Sequence, residues 1–159
     1  ADLNQTLTAF AAKGFSEKDT VTLLGAHSVG VVHCKFFEDR LYNYSGTNKA
    51  DPSLDGGFLE ELRATCKNRS GSEEVEMAKE GVGVDFGGVY YKRLMERKGI
   101  MVSDDQLMAG KTTSQWVRVY ASAISRFNRD FALAMINLSS LRVLTASQGL
   151  IRHNCSIIS

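Results

Sequence analysis

Residues 19–30 have the sequence DTVTLLGAHSVG, and this stretch decides the fold. Ser16 and Asp19 stand three positions apart at its start and form an approximate capping box, the pattern that opens a helix. Apolar residues continue that helix, and Gly25 breaks or bends it. His27 therefore follows a helix end at which small residues stand.

Apolar residues outside this stretch also recur at helical spacing, and Pro52 is the one proline in the chain. Both features predict an all-α fold. The predicted helices span residues 2–13, 16–24, 26–37, 59–66, 89–98, 114–122 and 124–138. In the third of these helices, Val29, Val32 and Phe36 would share a face with His27, because positions three and four apart are neighbours on a helix.

Other segments lack this spacing. Residues 43–57 are rich in Asn, Ser, Gly and Asp, which predicts an irregular surface loop, and the glycine-rich residues 67–88 predict another. Residues 100–107 predict a buried connection, and residues 145–149 predict a turn. We expect residues 1–159 to form a single domain, because a chain of this length with 43% hydrophobic residues encloses one ordinary core.

Charge and apolar run length argue against nucleic acids and membranes as partners. The chain has 19 Lys and Arg against 18 Asp and Glu, a formal charge of +1. No basic cluster alternates with aromatic residues as a phosphate-binding surface requires, so we expect no nucleic-acid partner. No apolar run approaches the roughly 20 residues of a membrane span, and the residues after Ala1 lack the pattern of a signal peptide. We expect no membrane partner, and a signal peptide that has already been removed if there was one.

Five Asn-x-Ser/Thr sequons indicate a secretory route, because this pattern is the acceptor for N-glycosylation. They lie at Asn4, Asn43, Asn68, Asn137 and Asn154. Three cysteines favour the same oxidising compartment. A bridge between Cys34 and Cys66 would contribute about 3 to 4 kcal/mol in the chain-entropy model, and Cys155 would then be left unpaired. We expect a secreted glycoprotein.

The three histidines have different surroundings in the sequence. His33 and His153 stand among polar neighbours without a metal-ligand partner at helical spacing, which is typical of surface residues. His27 follows Gly25 and Ala26, beside which a flat ligand could approach the backbone. A single histidine on an apolar face is more often a hydrogen-bonded core residue than a ligand. Both interpretations of His27 are open on the pattern alone.

Residues 19–30 resemble the proximal haem motif of the secretory plant (class III) peroxidases, and Cys34 follows His27 by seven positions as the equivalent cysteine does in that family. Later segments resemble the family in the same order. These are YYK at 90–92, KGI at 98–100, SDDQL at 103–107 and the closing LTASQGLIRHNC at 144–155. The resemblance covers essentially all 159 residues and implies the proximal, C-terminal half of a peroxidase, a helical domain with little or no sheet.

The resemblance also implies a cofactor and a reaction. The cofactor would be haem b, with His27 as the axial ligand of the iron and Asp104 accepting a hydrogen bond from the other ring nitrogen. Asp104 could instead be a helix-start cap beside Ser103, and both roles could hold, since Asp105 can face solvent while Asp104 points inward. Hydrogen peroxide would be reduced with electrons from phenol-like, small aromatic donors. The residues expected to surround the cofactor are Gly25, Ala26, His27, Ser28 and Val29.

The sequence departs from the family on the other side of the haem. There the family has a distal histidine and a distal arginine, in an N-terminal half that these 159 residues do not match. Without these acid–base residues we expect weak activity, since such groups are typically worth about a hundred- to ten-thousand-fold in rate. The partner of Cys155 belongs to the same half. The exposed haem-facing wall would then favour self-association or an N-terminal-half partner.

The proximal calcium site of the family is also altered. Ser28 and Asp85 are the calcium ligands that the sequence retains, whereas Gly87 follows Phe86 where the family has a carboxylate. Calcium requires six to eight oxygen ligands. We expect a weakened calcium site, and a solvated loop is the favoured interpretation.

Two other functions compete with a weak haem peroxidase. The chain could be a haem-binding module without significant turnover, which the unmatched distal residues favour. It could also be a haem-free interaction protein that keeps the fold for binding a partner, which the altered calcium loop favours.

Overall fold

The computed structural model describes residues 2–67, 72–78, 86–154 and 156–157. In these ranges the helices are α1 (Leu3–Ala11), α2 (Glu17–Leu24), α3 (Glu38–Tyr42), α4 (Gly56–Thr65), α5 (Gly88–Met95), α6 (Val102–Asp105), α7 (Lys111–Ser122) and α8 (Ile124–Ser139). Short 3₁₀ turns span Gly25–Ser28, Cys34–Phe36, Tyr44–Gly46, Gln106–Met108 and Ala146–Gln148. The two described strands are β1 (Val31–His33) and β2 (Glu74–Glu76). The predicted all-α class with little sheet is confirmed.

The capping box ahead of α2 is present. The Asp19 backbone N–H donates to Ser16 Oγ at 3.1 Å, and the Ser16 backbone N–H donates to Asp19 Oδ2 at 3.0 Å. These bonds satisfy backbone donors that a helix start otherwise leaves without partners. The helix that carries the chain to His27 therefore begins where the sequence predicts.

The predicted helix over 26–37 is wrong. After a single 3₁₀ turn, Gly30 adopts φ +84, and the chain continues as β1, which pairs antiparallel with β2 in the register Val32↔Val75. Val29 is 61% exposed and Phe36 is 62% exposed, so neither packs on a helical face with His27. A glycine at positive φ followed by two β-branched valines favours an extended chain over a helix.

Parts of the predicted loops form a strand or a helix in the structure. Residues 67–88 include β2, and the last two residues of 43–57 begin α4, because the Asp55 side chain caps that helix by accepting from the Phe58 backbone N–H at 2.9 Å. The buried connection over 100–107 contains the short helix α6. In each case, regular structure extends into a segment that has too few apolar residues for their spacing to predict a helix or a strand.

Two principal groups of buried side chains form the core. One joins α2, α5, α7 and α8 through Val21, Leu24, Tyr90, Tyr91, Leu94, Leu107, Val117, Tyr120 and Phe127. The other lies around α3 and α4 and contains the Cys34–Cys66 disulfide. Helices packed around α2 thus enclose the first group, while the covalent bridge lies within the second.

Arg40 is a fully buried cation beside the second group of buried side chains, with 2% of its side chain exposed. Its Nε donates to Asp51 Oδ2 at 2.8 Å, and its Nη1 donates to the carbonyls of Gly99 at 2.7 Å and Ile100 at 2.9 Å. Asp105 lies 3.4 Å from Nη2. A buried charge requires such partners, so this residue ties α3 to the chain that leads into α6.

The expectation that Asp105 faces solvent is wrong, because its side chain is buried against Arg40. Burial raises the pKa of the Asp105 carboxyl. For Asp51, burial also acts to raise the pKa, but hydrogen bonds from Ser53 and Arg40 outweigh it and hold the pKa below its ordinary value.

We predict that Asp51→Asn destabilises the chain by about 3 kcal/mol, because the buried Arg40 charge loses its closer acidic partner and keeps only Asp105, at 3.4 Å. Urea unfolding at neutral pH measures this change. The matched control is Glu60→Gln, which removes an exposed ion pair with Arg63 and should leave stability nearly unchanged.

The sign of the pH dependence follows from the lowered pKa of Asp51. Its ionised form stabilises the folded chain above the pKa of the unfolded state, and this contribution is lost as the pH falls through the folded value. The stability of Asp51→Asn should therefore depend less on pH below about 4 than that of the wild type. Parallel acid-limb slopes for the two proteins would contradict this assignment.

Candidate functional site

His27 lies in the 3₁₀ turn Gly25–Ser28, which continues directly from α2. The turn packs closely on the interior because Gly25 has no side chain. A Cβ at this position would come within 2.6 Å of the Phe127 ring and would also collide with the Tyr91 hydroxyl. Gly25 thus sets the depth at which the turn, and with it His27, rests on α5 and α8.

The imidazole of His27 is held by a buried carboxylate. Its Nδ1 lies 2.9 Å from Asp104 Oδ1, and Asp104 is only 1% exposed. The Tyr90 hydroxyl donates to the same oxygen at 3.0 Å. A carboxylate accepts hydrogen bonds, so Nδ1 carries the proton and the lone pair of a neutral ring is on Nε2. Among the described residues none hydrogen-bonds Nε2, and 40% of the side chain is exposed.

This arrangement shifts two pKa values. The hydrogen bond to Asp104 raises the pKa of His27, although burial acts in the opposite direction. Burial, together with the negative charge of Asp104, raises the pKa of Tyr90 well above its ordinary value. Tyr90 therefore stays protonated and remains a donor to Asp104 at any pH at which the fold is stable.

An apolar groove of about 380 Å³ opens beside His27. Helices α1, α2 and α8 form its walls, with contributions from the turn that carries the histidine. The lining residues are Ala9, Phe10, Lys13, Phe15, Leu23, Leu24, Ala26, His27, Met135 and Leu138. An exposed nitrogen lone pair beside apolar walls is the donor set that a flat, apolar, iron-centred group such as haem requires.

The other residues predicted around a cofactor have separate positions. Ala26 lines the groove, whereas Gly25 is buried against the interior. Ser28 is 7% exposed, and its Oγ has no hydrogen-bond partner among the described residues. Val29 is exposed. The structure thus brings Ala26 and His27 together in the groove and leaves Gly25 behind it.

Of the two predicted calcium ligands, Ser28 lies within the described residues and Asp85 lies outside them. Within the described ranges, no group of three or more His, Cys, Asp or Glu side chains is placed to hold a metal ion. Serine hydroxyls and backbone carbonyls can also ligate calcium, so the pair stays a prediction.

The cysteines and the sequon asparagines, which predict secretion, have the following positions in the structure. The bridge between Cys34 and Cys66 is formed, and Cys155 lies outside the described residues, as does Asn68. The four other sequon asparagines are exposed, namely Asn4, Asn43, Asn137 and Asn154. In the part of the chain that the structure describes, no helix combines the length and apolar character needed to cross a bilayer.

Sequence reasoning missed several residues of the site. Tyr90 was recognised within a motif but was assigned no contact, since helical spacing does not show that its hydroxyl reaches a carboxylate 14 positions away. Met135 and Leu138 belong to the apolar residues of α8, and they are 42% and 39% exposed beside the groove. The partial exposure of these two large apolar residues places them at the groove, and that exposure is known only from the tertiary structure.

Comparison with protein families now identifies the class. Residues 1–123 match the family model described as peroxidase, so the chain belongs to the peroxidase family. It is 41% identical to Peroxidase 22 of Arabidopsis thaliana over 99% of this chain and 46% of that protein. It is 40% identical to Putative Peroxidase 48 of the same plant, over 98% of this chain and 47% of that protein. Peroxidase 70 of Zea mays is 37% identical, over 99% of this chain and 48% of that protein. The chain spans about half the length of the curated relatives it matches.

We predict that Asp104→Asn lowers the pKa of His27 from above its ordinary value to below it. The substitution removes the carboxylate that raises the pKa and leaves the burial that lowers it. A titration of the imidazole ¹⁵N resonances in the cofactor-free chain measures the midpoint. Glu74→Gln is the control, because Glu74 lies 3.3 Å from His33 and should leave the His27 midpoint in place. An unchanged midpoint in Asp104→Asn would show that the pair does not form in solution.

Proposed function

We propose that this chain binds haem b through Nε2 of His27 and acts in a peroxidase that reduces hydrogen peroxide with electrons from phenol-like donors. One observation carries the proposal, the placement of a carboxylate-held imidazole at the edge of an apolar groove. Membership of the peroxidase family supports a peroxidase-type activity. When bound, haem would supply the reaction with peroxide and the one-electron oxidation of donors.

The chain's own residues would orient and tune the ligand. Asp104 accepts the Nδ1–H of His27, which fixes the ring orientation and gives the imidazole more anionic character. Tyr90 donates to the same carboxylate oxygen and so moderates its basicity. Ala26, at the groove surface, leaves room for a flat group, and Gly25 sets the depth of the turn. Ser28 and Val29 complete the proposed surroundings.

The rate is expected to be low for these 159 residues alone. Of the three histidines, His27 lines the groove, His33 contacts Glu74 and His153 is exposed. A second acid–base group opposite the iron is what the family resemblance assigns to the unmatched half. Its absence from these residues supports weak turnover, in line with the usual contribution of such groups.

We also propose that the chain is secreted. The Cys34–Cys66 disulfide is typical of an oxidising compartment, and four exposed sequon asparagines are available for glycosylation. Residues 19–30 and 144–155 also resemble motifs of the secretory plant peroxidases. Mass spectrometry of the protein from its native tissue would identify the glycosylated asparagines.

Addition of haem to the purified chain tests the ligand. We predict a shifted Soret band for the wild type and for His33→Ala, and loss of that band in His27→Ala, because only His27 presents a free ring nitrogen to the groove in the described structure. The same samples are assayed for peroxide-dependent oxidation of a small phenol. His27-dependent binding with turnover supports the peroxidase. Binding without turnover selects the haem-binding module, and identical spectra for wild type and His27→Ala would eliminate the ligand role.

The apolar side chains beside the groove support a further part of the proposal. Met135, Ile136 and Leu138 of α8 are exposed on or near the groove wall, and Leu133 is exposed one turn earlier. Large exposed apolar patches mark contact surfaces. The relatives have about as many residues again beyond the matched stretch. We propose that the remaining part of such a peroxidase, or a second copy of this chain, covers this surface.

Co-expression tests the covering segment. We predict that the chain expressed with the unmatched part of Peroxidase 22 retains haem through gel filtration better than the chain alone. Ile136→Glu should remove the gain, because it buries a charge in the contact, while Glu96→Gln, at a residue that lines a different depression, should not. A concentration-dependent dimer of the chain alone would select self-association instead. A monomer that gains nothing from co-expression would contradict both.

A further inference from the structure

A continuous row of aromatic rings crosses the core. The ring centroids of Trp116 and Tyr120 are 5.6 Å apart, those of Tyr120 and Tyr91 are 5.2 Å apart, and those of Tyr91 and Tyr90 are 5.0 Å apart. These are contact distances for aromatic pairs. Electron transfer between neighbouring rings is fast at such distances, because tunnelling falls steeply with separation and these rings touch.

The inner end of the row connects to the site of the proposed ligand. The Tyr90 hydroxyl donates to Asp104 Oδ1 at 3.0 Å, and the same oxygen lies 2.9 Å from His27 Nδ1. Two hydrogen bonds therefore join the last ring to the imidazole.

The outer end of the row is at the surface. Trp116, the one tryptophan of the chain, is partly buried and lines a surface depression with Arg118 and Arg126. Its ring lies 5.1 Å from Lys18 Nζ and 5.1 Å from the Arg126 guanidinium. Lys18 is paired with Asp130 at 2.8 Å, so the excess positive charge at the depression comes from Arg118 and Arg126, and this charge attracts aromatic molecules that carry a negative charge. A molecule too large for the groove could still reach this ring.

Two of the three tyrosines have a base beside their hydroxyl. Tyr120 donates to Asp130 Oδ2 at 3.1 Å, an oxygen that Lys18 also contacts at 2.8 Å, and Tyr90 donates to Asp104. Both distances suit proton transfer. Tyr91 instead donates to the Val21 carbonyl at 2.9 Å, which is a poor proton acceptor. Tyr120 can therefore lose an electron inward while its proton rests on Asp130, and Tyr91 serves as a packed bridge.

We propose that Trp116, Tyr120, Tyr91 and Tyr90 form an electron relay through which bulky, negatively charged phenols are oxidised at the surface. The relay rests on the proposed function, because hydrogen peroxide at the haem site is its oxidant. Trp116 passes one electron inward and releases its indole proton to solvent. A phenol then gives one electron and one proton back to Trp116 and becomes a phenoxyl radical. Two such phenols supply the two electrons and two protons that turn one peroxide into two waters.

The first test needs no haem. Azide radicals, generated by pulse radiolysis, take one electron from Trp116, giving azide ion, a released proton and an indolyl radical. We predict that this radical converts to a tyrosine phenoxyl radical in a first-order step whose rate does not depend on protein concentration. Because the chain has one tryptophan, the indolyl band has a single source.

Variants identify the acceptor. Tyr120→Phe should abolish the fast conversion, whereas Tyr44→Phe, a tyrosine that takes part in no described ring contact of the row, should leave it intact. Far-ultraviolet circular dichroism checks that each variant is folded. Should Tyr120→Phe not fold, Asp130→Asn keeps the ring and removes the proton acceptor, and it should slow the conversion. A wild-type indolyl radical that decays only between molecules would overturn the relay and leave the haem proposal untouched.

The second test uses the haem-loaded chain. After peroxide addition, a nitroso spin trap should label the peptide that contains Trp116. Trp116→Phe should lose this label and lower the oxidation of a bead-tethered anionic phenol relative to that of a small phenol. Tyr44→Phe should change neither the label nor the ratio. An unchanged ratio in Trp116→Phe would overturn the relay, while failure of the wild type to bind haem at all would instead count against the proposed function.

Discussion

The buried carboxylate of Asp104 is the constraint on which the site depends. A charge that is 1% exposed must be compensated, and Asp104 Oδ1 receives two donors, His27 Nδ1 and the Tyr90 hydroxyl. These donors come from the turn after α2 and from α5, while the acid itself is on α6. Asp104 Oδ2 has no hydrogen-bond partner among the described residues, so movement of the turn or of α5 would remove one of the two donors to this carboxylate. The position of His27 at the groove is therefore a consequence of satisfying one buried acid.

Asp105, the residue after Asp104, also belongs to a buried network, on the other side of the chain. Asp105 contacts Arg40, whose guanidinium also binds Asp51 and the carbonyls just before α6. Two adjacent acids thus face two different networks, one that orients the histidine and one that holds the α3 region. Because breaking a buried charged network costs several kcal/mol, α6 is fixed from both sides. A short helix of four residues acquires in this way a rigidity that its length alone would not provide.

Local patterns in the sequence predicted much of this molecule correctly. The capping box of Ser16 and Asp19 has a mechanism confined to one helical turn, so it forms as expected. The long helices α7 and α8 have enough periodic apolar residues to be recognised. The helix predicted after His27 was wrong because the apolar residues of this segment fit helical spacing by coincidence. The strand β1 that forms there is stabilised by pairing with residues more than forty positions away.

The sequence by itself determined the helical class, the family and the histidine that a haem would require, because motifs and periodicity are short-range properties of the chain. The family resemblance assigned Asp104 to His27, but only the tertiary structure decided that Asp105 meets Arg40 instead of solvent, since the direction of a side chain depends on what packs against it. It also decided that Tyr90 reaches Asp104 and that Trp116 stands at the end of a row of rings. Contacts between distant residues depend on how helices pack, and no local pattern specifies that packing.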